Sequence, residues 1–444
     1  MQRDLTNGSV TKTMLLFAWP MILGNFLQQI YNVADTLIVG RYVGSDALAA
    51  VGSSFALMVF LTSIIIGLCM GSGVVYSIFF GAREEEKLKS SFFMSFVFIA
   101  AVTIVIQITT LCLIDPVLSA LHIPSEVYNA TKSYLTITLY GTIFVFIYNY
   151  FTAVLRGIGN STTPLIFLGA AVILNVALDL ILIISFGMGV EGAAAATVVS
   201  QAVSAVSIAV YCIWKTPEFR LKRKHLKFEK SILNKIVQYS SLTCIQQSIM
   251  NFGILMVQGL VNSFGVSVMA AFAAAVKVDS FAYMPVQDFG NAFSTYVAQN
   301  YGARKSKRIH EGIKSAAKVS LIFCIVISAI VVIFAKPLMT LFVSPEDVEI
   351  ISIGVQYLRI EGACYCGIGC LFLLYGLYRG VGKPAVSIVL TVISLGTRVL
   401  LAYVLAAIPS IGLVGIWWAI PIGWLLADIA GIVYYMRNKK LIVA

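Results

Sequence analysis

The sequence predicts an all-α polytopic membrane protein, with twelve transmembrane helices in two pseudo-symmetric, parallel six-helix lobes. Three observations carry this prediction. Of 444 residues, 59% are hydrophobic and only 11% are charged, against about 25% charged in ordinary soluble proteins. The apolar residues gather into runs that reach the roughly 20 residues a spanning helix needs. The chain also repeats its own punctuation about halfway along.

Twelve runs meet the length requirement: 14–39, 48–79, 92–114, 132–155, 165–186, 191–214, 234–262, 267–298, 316–342, 352–377, 385–407 and 411–436. None shows the alternation of a barrel strand. In lipid, backbone polar groups must be satisfied within the segment, so each run is read as a helix. Several are long enough to tilt or to project beyond the hydrocarbon. The first is too long for a cleavable signal peptide and continues into a polar-faced helix.

Charge sets the orientation. The net charge is +11. In a soluble protein that excess would suggest a nucleic-acid partner, but here the cations sit in short stretches between apolar runs. With the first end on the cytoplasmic side, 25 of the 31 lysines and arginines fall on that side and three (Arg41, Lys132 and Lys336) on the other. Lys277, Arg359 and Arg398 lie inside runs. The positive-inside rule therefore places both ends in the cytoplasm, as an even helix count requires. A plasma-membrane location follows as an expectation, with no nucleic-acid partner.

The repeat divides the chain. Gly81-Ala82-Arg83 recurs as Gly302-Ala303-Arg304, and Pro116 and Pro124 recur as Pro337 and Pro345, at an offset of 221. Arg156-Gly157-Ile158-Gly159 recurs as Arg379-Gly380-Val381-Gly382, and Tyr134-Leu135 as Tyr357-Leu358, at 223. The expected organisation is an amino-terminal lobe (1–214), a basic linker (215–233) and a carboxy-terminal lobe (234–444). Parallel repeats about an axis normal to the bilayer are a recurrent transporter plan.

Carboxylates inside the runs point to chemistry, because an ionised group in a bilayer is costly. Asn25, Gln28, Asn32 and Asp35 share one face of the first helix at 3.6 residues per turn. Hydrogen-bonding glue between helices accounts for the amides but not for the carboxylate. Asn175 and Asp179 are one turn apart and share a face of the fifth helix. Two carboxylates with an amide and a hydroxyl make an all-oxygen set for a hard cation. The same carboxylates could instead share a proton.

Several of these residues resemble the multidrug and toxic compound extrusion transporters over nearly the whole chain. The resemblance is carried by the run Pro20 to Gly40 with Asn32-Val33-Ala34-Asp35, and by the paired Gly-Ala-Arg and Arg-Gly-x-Gly loops. Asn175-Val176-Ala177-Leu178-Asp179 and Gly192-Ala193-Ala194-Ala195-Ala196-Thr197 add to it. It implies a V-shaped pair of six-helix lobes with alternating access to a central cavity. It also implies export of organic, often cationic, compounds in exchange for Na+ or H+, with no further cofactor. At the matching positions Asp35, Asn175, Asp179 and Thr197 it implies the cation or proton site, so Na+ is the expected metal there.

The second half does not duplicate that site, since the offsets place Met256 opposite Asp35 and Ala402 opposite Asp179. Gln247, Asn251, Gln258 and Asn262 form an uncharged polar stripe on the seventh helix. With Asn25, Gln28, Asn32, Met256, Tyr283 and Asp288 they are weaker candidates for a substrate cavity. Tyr31, Phe55, Phe281 and Met284 are weaker still. In the resembled family an acidic site on helices seven and ten occurs in some members; here glutamines replace it on helix seven, while Glu361 remains on helix ten. Lys277 and Asp279 read as ion-paired to another helix, and Asp288 as lining the cavity or holding a second cation. Arg398 and Asp428 read as structural partners.

Other classes fit poorly. The eight cysteines lie almost wholly in apolar runs and read as small buried hydrophobes. Cys364, Cys366 and Cys370 cluster without histidine partners, unlike a structural zinc site. His122, His225 and His310 are scattered among loops, so no enzyme constellation emerges. No Gly-x-x-x-x-Gly-Lys loop supports ATP drive. A lipid-precursor flippase of related fold is the alternative, but it would call for more helices and a basic cavity. A monomer handling small organic molecules within the bilayer is the expected state.

Overall fold

The computed structural model describes residues 3–120 and 123–443; His122 lies outside them. Among the described residues the regular structure is helical, with no strand. In chain order the α-helices are α1 (Val10–Tyr42), α2 (Ser45–Gly81), α3 (Glu85–Cys112), α4 (Ile114–Ala120), α5 (Ser125–Tyr140), α6 (Thr142–Gly157), α7 (Thr162–Asp179) and α8 (Gly189–Lys215). They continue as α9 (Lys230–Asn262), α10 (Val266–Gly302), α11 (Ser306–Ile333), α12 (Ala335–Met339), α13 (Val348–Ala363), α14 (Tyr365–Gly380), α15 (Pro384–Ala406) and α16 (Leu413–Val443).

Ten helical stretches among the described residues are long and apolar enough to cross a bilayer singly. Two further spans are bent pairs: α5 with α6 at 41°, and α13 with α14 at 52°. Counting each pair once gives the twelve spans that hydropathy predicts. At the first bend, a side chain on Gly141 would meet Val198 Cγ2 of α8 at 2.8 Å. Glycine there admits the neighbouring helix, as small residues do at membrane helix contacts.

The repeated motifs are helix stops. At the end of α2, Arg83 N–H donates to Phe80 O and Glu84 N–H to Phe79 O; after α10, Arg304 donates to Tyr301 O and Lys305 to Asn300 O. Arg83 and Arg304 adopt φ of 60° and 55°. These are left-handed caps that use the last carbonyls of each helix. The Arg-Gly-x-Gly pair does the same with glycine: Asn160 N–H reaches Leu155 O at 2.7 Å, and Lys383 N–H reaches Tyr378 O at 2.8 Å. Gly159 and Gly382 take φ of 89° and 79°, which costs glycine little.

The chain forms two compact units. Unit 1 holds the stretch ending at Asp4 together with Trp19–Cys244, and unit 2 holds Leu5–Ala18 and the chain from Ile245 onward. Thus α1 begins in unit 2 and continues in unit 1, whereas α9 begins in unit 1 and continues in unit 2. The core of unit 1 includes the fully buried Tyr76, Phe92, Phe146 and Tyr150. Two of these tyrosine hydroxyls are satisfied, Tyr150 donating to Phe92 O at 2.6 Å and Tyr76 bonding Ser95 Oγ at 2.5 Å. In unit 2, Phe272 stacks on Trp417 with centroids 5.6 Å apart, and Tyr357 meets the same indole edge-on at 5.0 Å. Large aliphatic side chains such as Ile173 and Val105 stay exposed, the surface a bilayer would cover.

Candidate cation site and its surroundings

Asp35 lies two turns from the end of α1, and Asp179 is the last residue of α7. Both are buried, at 8% and 0% exposure. The two carboxyls face each other closely enough to be hydrogen-bond partners. Carboxylates meet this way only with a proton between them or a cation on their oxygens.

Around them the partners are few and specific. The Asn175 amide, oriented with its nitrogen toward Asp179, donates to Oδ2 at 2.9 Å, and its oxygen accepts from Thr197 N–H at 3.2 Å. Tyr31 Oη lies 3.1 Å from Thr197 Oγ1. Tyr134 of α5 is buried and lies within electrostatic range of both carboxylates. Asp35 Oδ1 and Asp179 Oδ1 are buried with no hydrogen-bond partner. An orphaned carboxylate oxygen in a dry site is costly, and two on facing side chains make a place for a cation or a shared proton. The two carboxylates and the Thr197 hydroxyl are oxygen donors of the kind a hard cation takes, while Asn175 turns its amide nitrogen to Asp179.

Just beyond Asp179, residues Leu180–Ser185 form a π-helical turn. Such turns cluster at functional sites and widen a helix locally. Asp179 is therefore held at a junction between two backbone geometries.

The structure brings together Asp35, Asn175, Asp179 and Thr197. It adds Tyr134, which entered the sequence reading only as half of a repeated Tyr-Leu pair. That repeat was the available signal, because Tyr357, its counterpart, also lies near a buried carboxyl, that of Glu361. Of the weaker candidates in unit 1, Asn32 donates to Gln29 of its own helix at 3.3 Å, Asn25 is half-buried and Gln28 is exposed.

In unit 2, Asp279 and Glu361 are 4% and 3% exposed and lie near Arg398. Tyr365 donates to Asp279 Oδ1 at 2.6 Å. Tyr283 adjoins the same group. This corrects two expectations. Lys277 makes no ion pair within 4 Å among the described residues; its ammonium sits 5.9 Å from the Phe342 ring centroid. Its side chain is exposed rather than buried against another helix. Nor do Arg398 and Asp428 form an ion pair among the described residues: Arg398 lies near Asp279 and Glu361, whereas Asp428 lies near Cys370. Asp288 is buried, and its neighbour one turn on, Asn291, accepts from Arg379 at 2.9 Å. Gln258 donates to Asn262 along its own helix at 2.8 Å, Met256 is 37% exposed, and Gln247 and Asn251 are half-buried.

Comparison with known proteins gives a consistent result. The family model MatE matches residues 20–181 and again 242–404, the two halves that the internal repeat defines. The protein named "Probable multidrug resistance protein YpnP" from Bacillus subtilis is 31% identical over 98% of this chain and 97% of its own length. "Probable multidrug resistance protein NorM" from Thermotoga maritima is 29% identical over 92% of this chain and 88% of its own length. Among solved structures, a MOP superfamily transporter from Pyrococcus furiosus matches with a TM-score of 0.93 at 24% identity, covering 99% of this chain and 98% of that one.

Proposed function

The chain belongs to the MatE family, and from that premise we propose that it is a secondary antiporter that exports organic compounds, many of them cationic, in exchange for Na+ or H+. The observation that carries the coupling is the buried pair Asp35–Asp179, each with an unpartnered oxygen. Such a pair gains or loses one positive charge at small geometric cost. Names of relatives at 31% and 29% identity, both multidrug resistance proteins, support the substrate class. The acidic character of the buried groups disfavours the flippase alternative, whose anionic cargo would be repelled.

In this reading, residues 1–214 and 234–444 act as two lobes joined by the basic linker 215–233, in the plasma membrane as a monomer with both ends cytoplasmic. Alternating access loads the cation at Asp35, Asn175, Asp179 and Thr197 and the organic compound in a cavity lined by residues such as Asn25, Gln28 and Asn32. Asn175 keeps Asp179 in register by donating to it while Thr197 N–H holds the amide. Tyr31 and Tyr134 narrow access to the carboxylates.

The test is export of a fluorescent organic cation from proteoliposomes under an imposed sodium gradient, and separately under an imposed pH gradient. Export driven by either supports the reading and names the ion. Export driven by neither, with protein shown to be inserted, overturns it. Single cysteines near Arg83, Lys224 and Arg304 should be labelled only from the cytoplasm; labelling from outside intact cells reverses the orientation.

A further inference from the structure

Between α8 and α9 the chain is polar and strongly charged, yet it is packed onto α3. Phe219 sets its ring 5.5 Å from that of Phe92 and 5.3 Å from that of Phe151. His225 is 2% exposed. Its Nδ1 accepts from Lys222 N–H at 2.9 Å, so the neutral ring carries its proton on Nε2 and donates to Glu86 Oε2 at 3.0 Å. Lys224 pairs with the same oxygen at 2.7 Å. Farther on, the Phe228 ring lies 5.6 Å from that of Phe93, and Glu229 N–H donates to Met94 Sδ at 3.4 Å. All of these residues belong to unit 1.

The partners on α3 give this segment a direction. Glu86 stands in the first turn and Phe93 about two turns on, about 10 Å farther along the axis at 1.5 Å per residue. One turn beyond Phe93, Phe96 and Val97 are exposed, at 37% each, where lipid would cover them. Residues 224–229 therefore run from the polar end of α3 to the edge of its apolar stretch. The outward side of the segment mixes two kinds of group. Lys215, Arg220, Lys222, Arg223, Lys227 and Lys230 are exposed, and Trp214, Leu226 and Phe228 are 73%, 46% and 61% exposed. Residues 215–230 hold seven lysines and arginines against two glutamates. Three large apolar side chains are costly to leave in water. At a membrane surface they enter the acyl boundary while the cations meet phosphate.

We propose that residues 214–230 form an interfacial platform on unit 1 that binds anionic phospholipid headgroups, the cations holding phosphate and Trp214, Leu226 and Phe228 seated at the acyl boundary. Cations alone would serve a soluble anion equally well. The apolar trio selects a lipid, because a lipid supplies an acyl surface beside its phosphate. An outward tryptophan at the end of a spanning helix is a usual interfacial anchor. Phe219 and His225 hold the segment on α3, so less of it must be ordered when lipid arrives. The platform depends neither on the coupling ion nor on the exported compound.

The experiment measures binding of a short-chain fluorescent phosphatidylglycerol, and of its phosphatidylcholine counterpart, to the full chain in detergent. The wild type should bind phosphatidylglycerol at least ten-fold more tightly; affinities within two-fold overturn the platform. Lys222→Gln, Arg223→Gln and Lys227→Gln together should weaken phosphatidylglycerol at least five-fold and leave phosphatidylcholine within two-fold. The matched control, Lys307→Gln with Lys314→Gln and Lys318→Gln, removes three exposed cations of unit 2 and should leave both lipids within two-fold. An equal loss in the control makes the effect one of total charge and overturns the assignment. Phe228→Ser keeps every cation and should still weaken phosphatidylglycerol at least three-fold. An unchanged affinity there, or displacement of the lipid by an equal concentration of glycerol phosphate, would mean a soluble-anion site and overturns the proposal. Where the triple variant does not elute as the wild type does, the wild type is measured from about 0.05 to about 0.3 M salt. Phosphatidylglycerol affinity should then fall at least ten-fold, and salt independence overturns the platform.

Discussion

Asn175 reaches forward one helical turn to donate to Asp179 at 2.9 Å, while its own oxygen accepts from the Thr197 backbone at 3.2 Å. One amide thus ties the end of α7 to α8 and leaves Asp179 Oδ1 without a hydrogen bond. Replacing Asn175 with alanine removes a hydrogen-bond donor to that carboxylate. A buried acceptor left unmade costs about 1–3 kcal/mol. We predict a melting temperature in detergent lowered by a few degrees, together with loss of gradient-driven export. If N175A melts and transports as the wild type does, Asn175 is not part of the site.

Asp35→Asn separates charge from shape. The amide fills the same volume and can hydrogen-bond, but it neither takes up a proton nor neutralises a cation. The variant should reach the membrane folded and show at least a ten-fold loss of export under both sodium and pH gradients. Wild-type export by D35N would remove Asp35 from the coupling.

Much of this arrangement was legible in the sequence. A carboxylate in an apolar run is conspicuous, and Asn175 and Asp179 are locked together by helical spacing alone. The spans follow from hydropathy because lipid forces each backbone to satisfy itself. The remainder depended on contacts between distant segments. Nothing local to Tyr134 says that it lies in the neighbourhood of Asp35, and nothing local to Asp279 says that it accepts from Tyr365 rather than pairing with a cation of another helix. The bends at Gly141 and Cys364 fall inside continuous apolar runs, where hydropathy carries no information on direction. The π-helical turn after Asp179 is equally silent, since Leu180–Ser185 reads as ordinary span.

In unit 2, Arg398 is a cation near the buried Asp279 and Glu361. Removing the compensating charge of a buried group typically costs about 3–5 kcal/mol, and less where the arginine is only half-buried. Arg398→Met should therefore melt several degrees below the wild type. Adding Glu361→Gln should recover most of the loss, because the surplus negative charge goes with it. If R398M alone is as stable as the wild type, or if E361Q deepens the defect, Arg398 is not the counter-charge of this cluster.

The last prediction concerns how the ion influences the organic compound. α1 runs unbroken through Pro20, yet proline supplies no N–H to the carbonyl one turn earlier, so bending there sacrifices one fewer hydrogen bond. Asp35 rides on the same helix beyond that point. With a proton or cation between them, Asp35 and Asp179 can stay together; without it, two buried negative charges repel and favour moving α1 away from α7. Local charge then biases a two-state helix position, which is what coupling requires. If the organic compound favours the position that the cation disfavours, each weakens the other's affinity by the same factor. We predict that the Kd of a fluorescent organic cation, measured in detergent, rises across a titration with sodium or with acid. The same titration of Asp35→Asn should be flat. A flat wild-type titration in both ions, or an equal rise in the variant, would show that the compound and the ion are not coupled through Asp35.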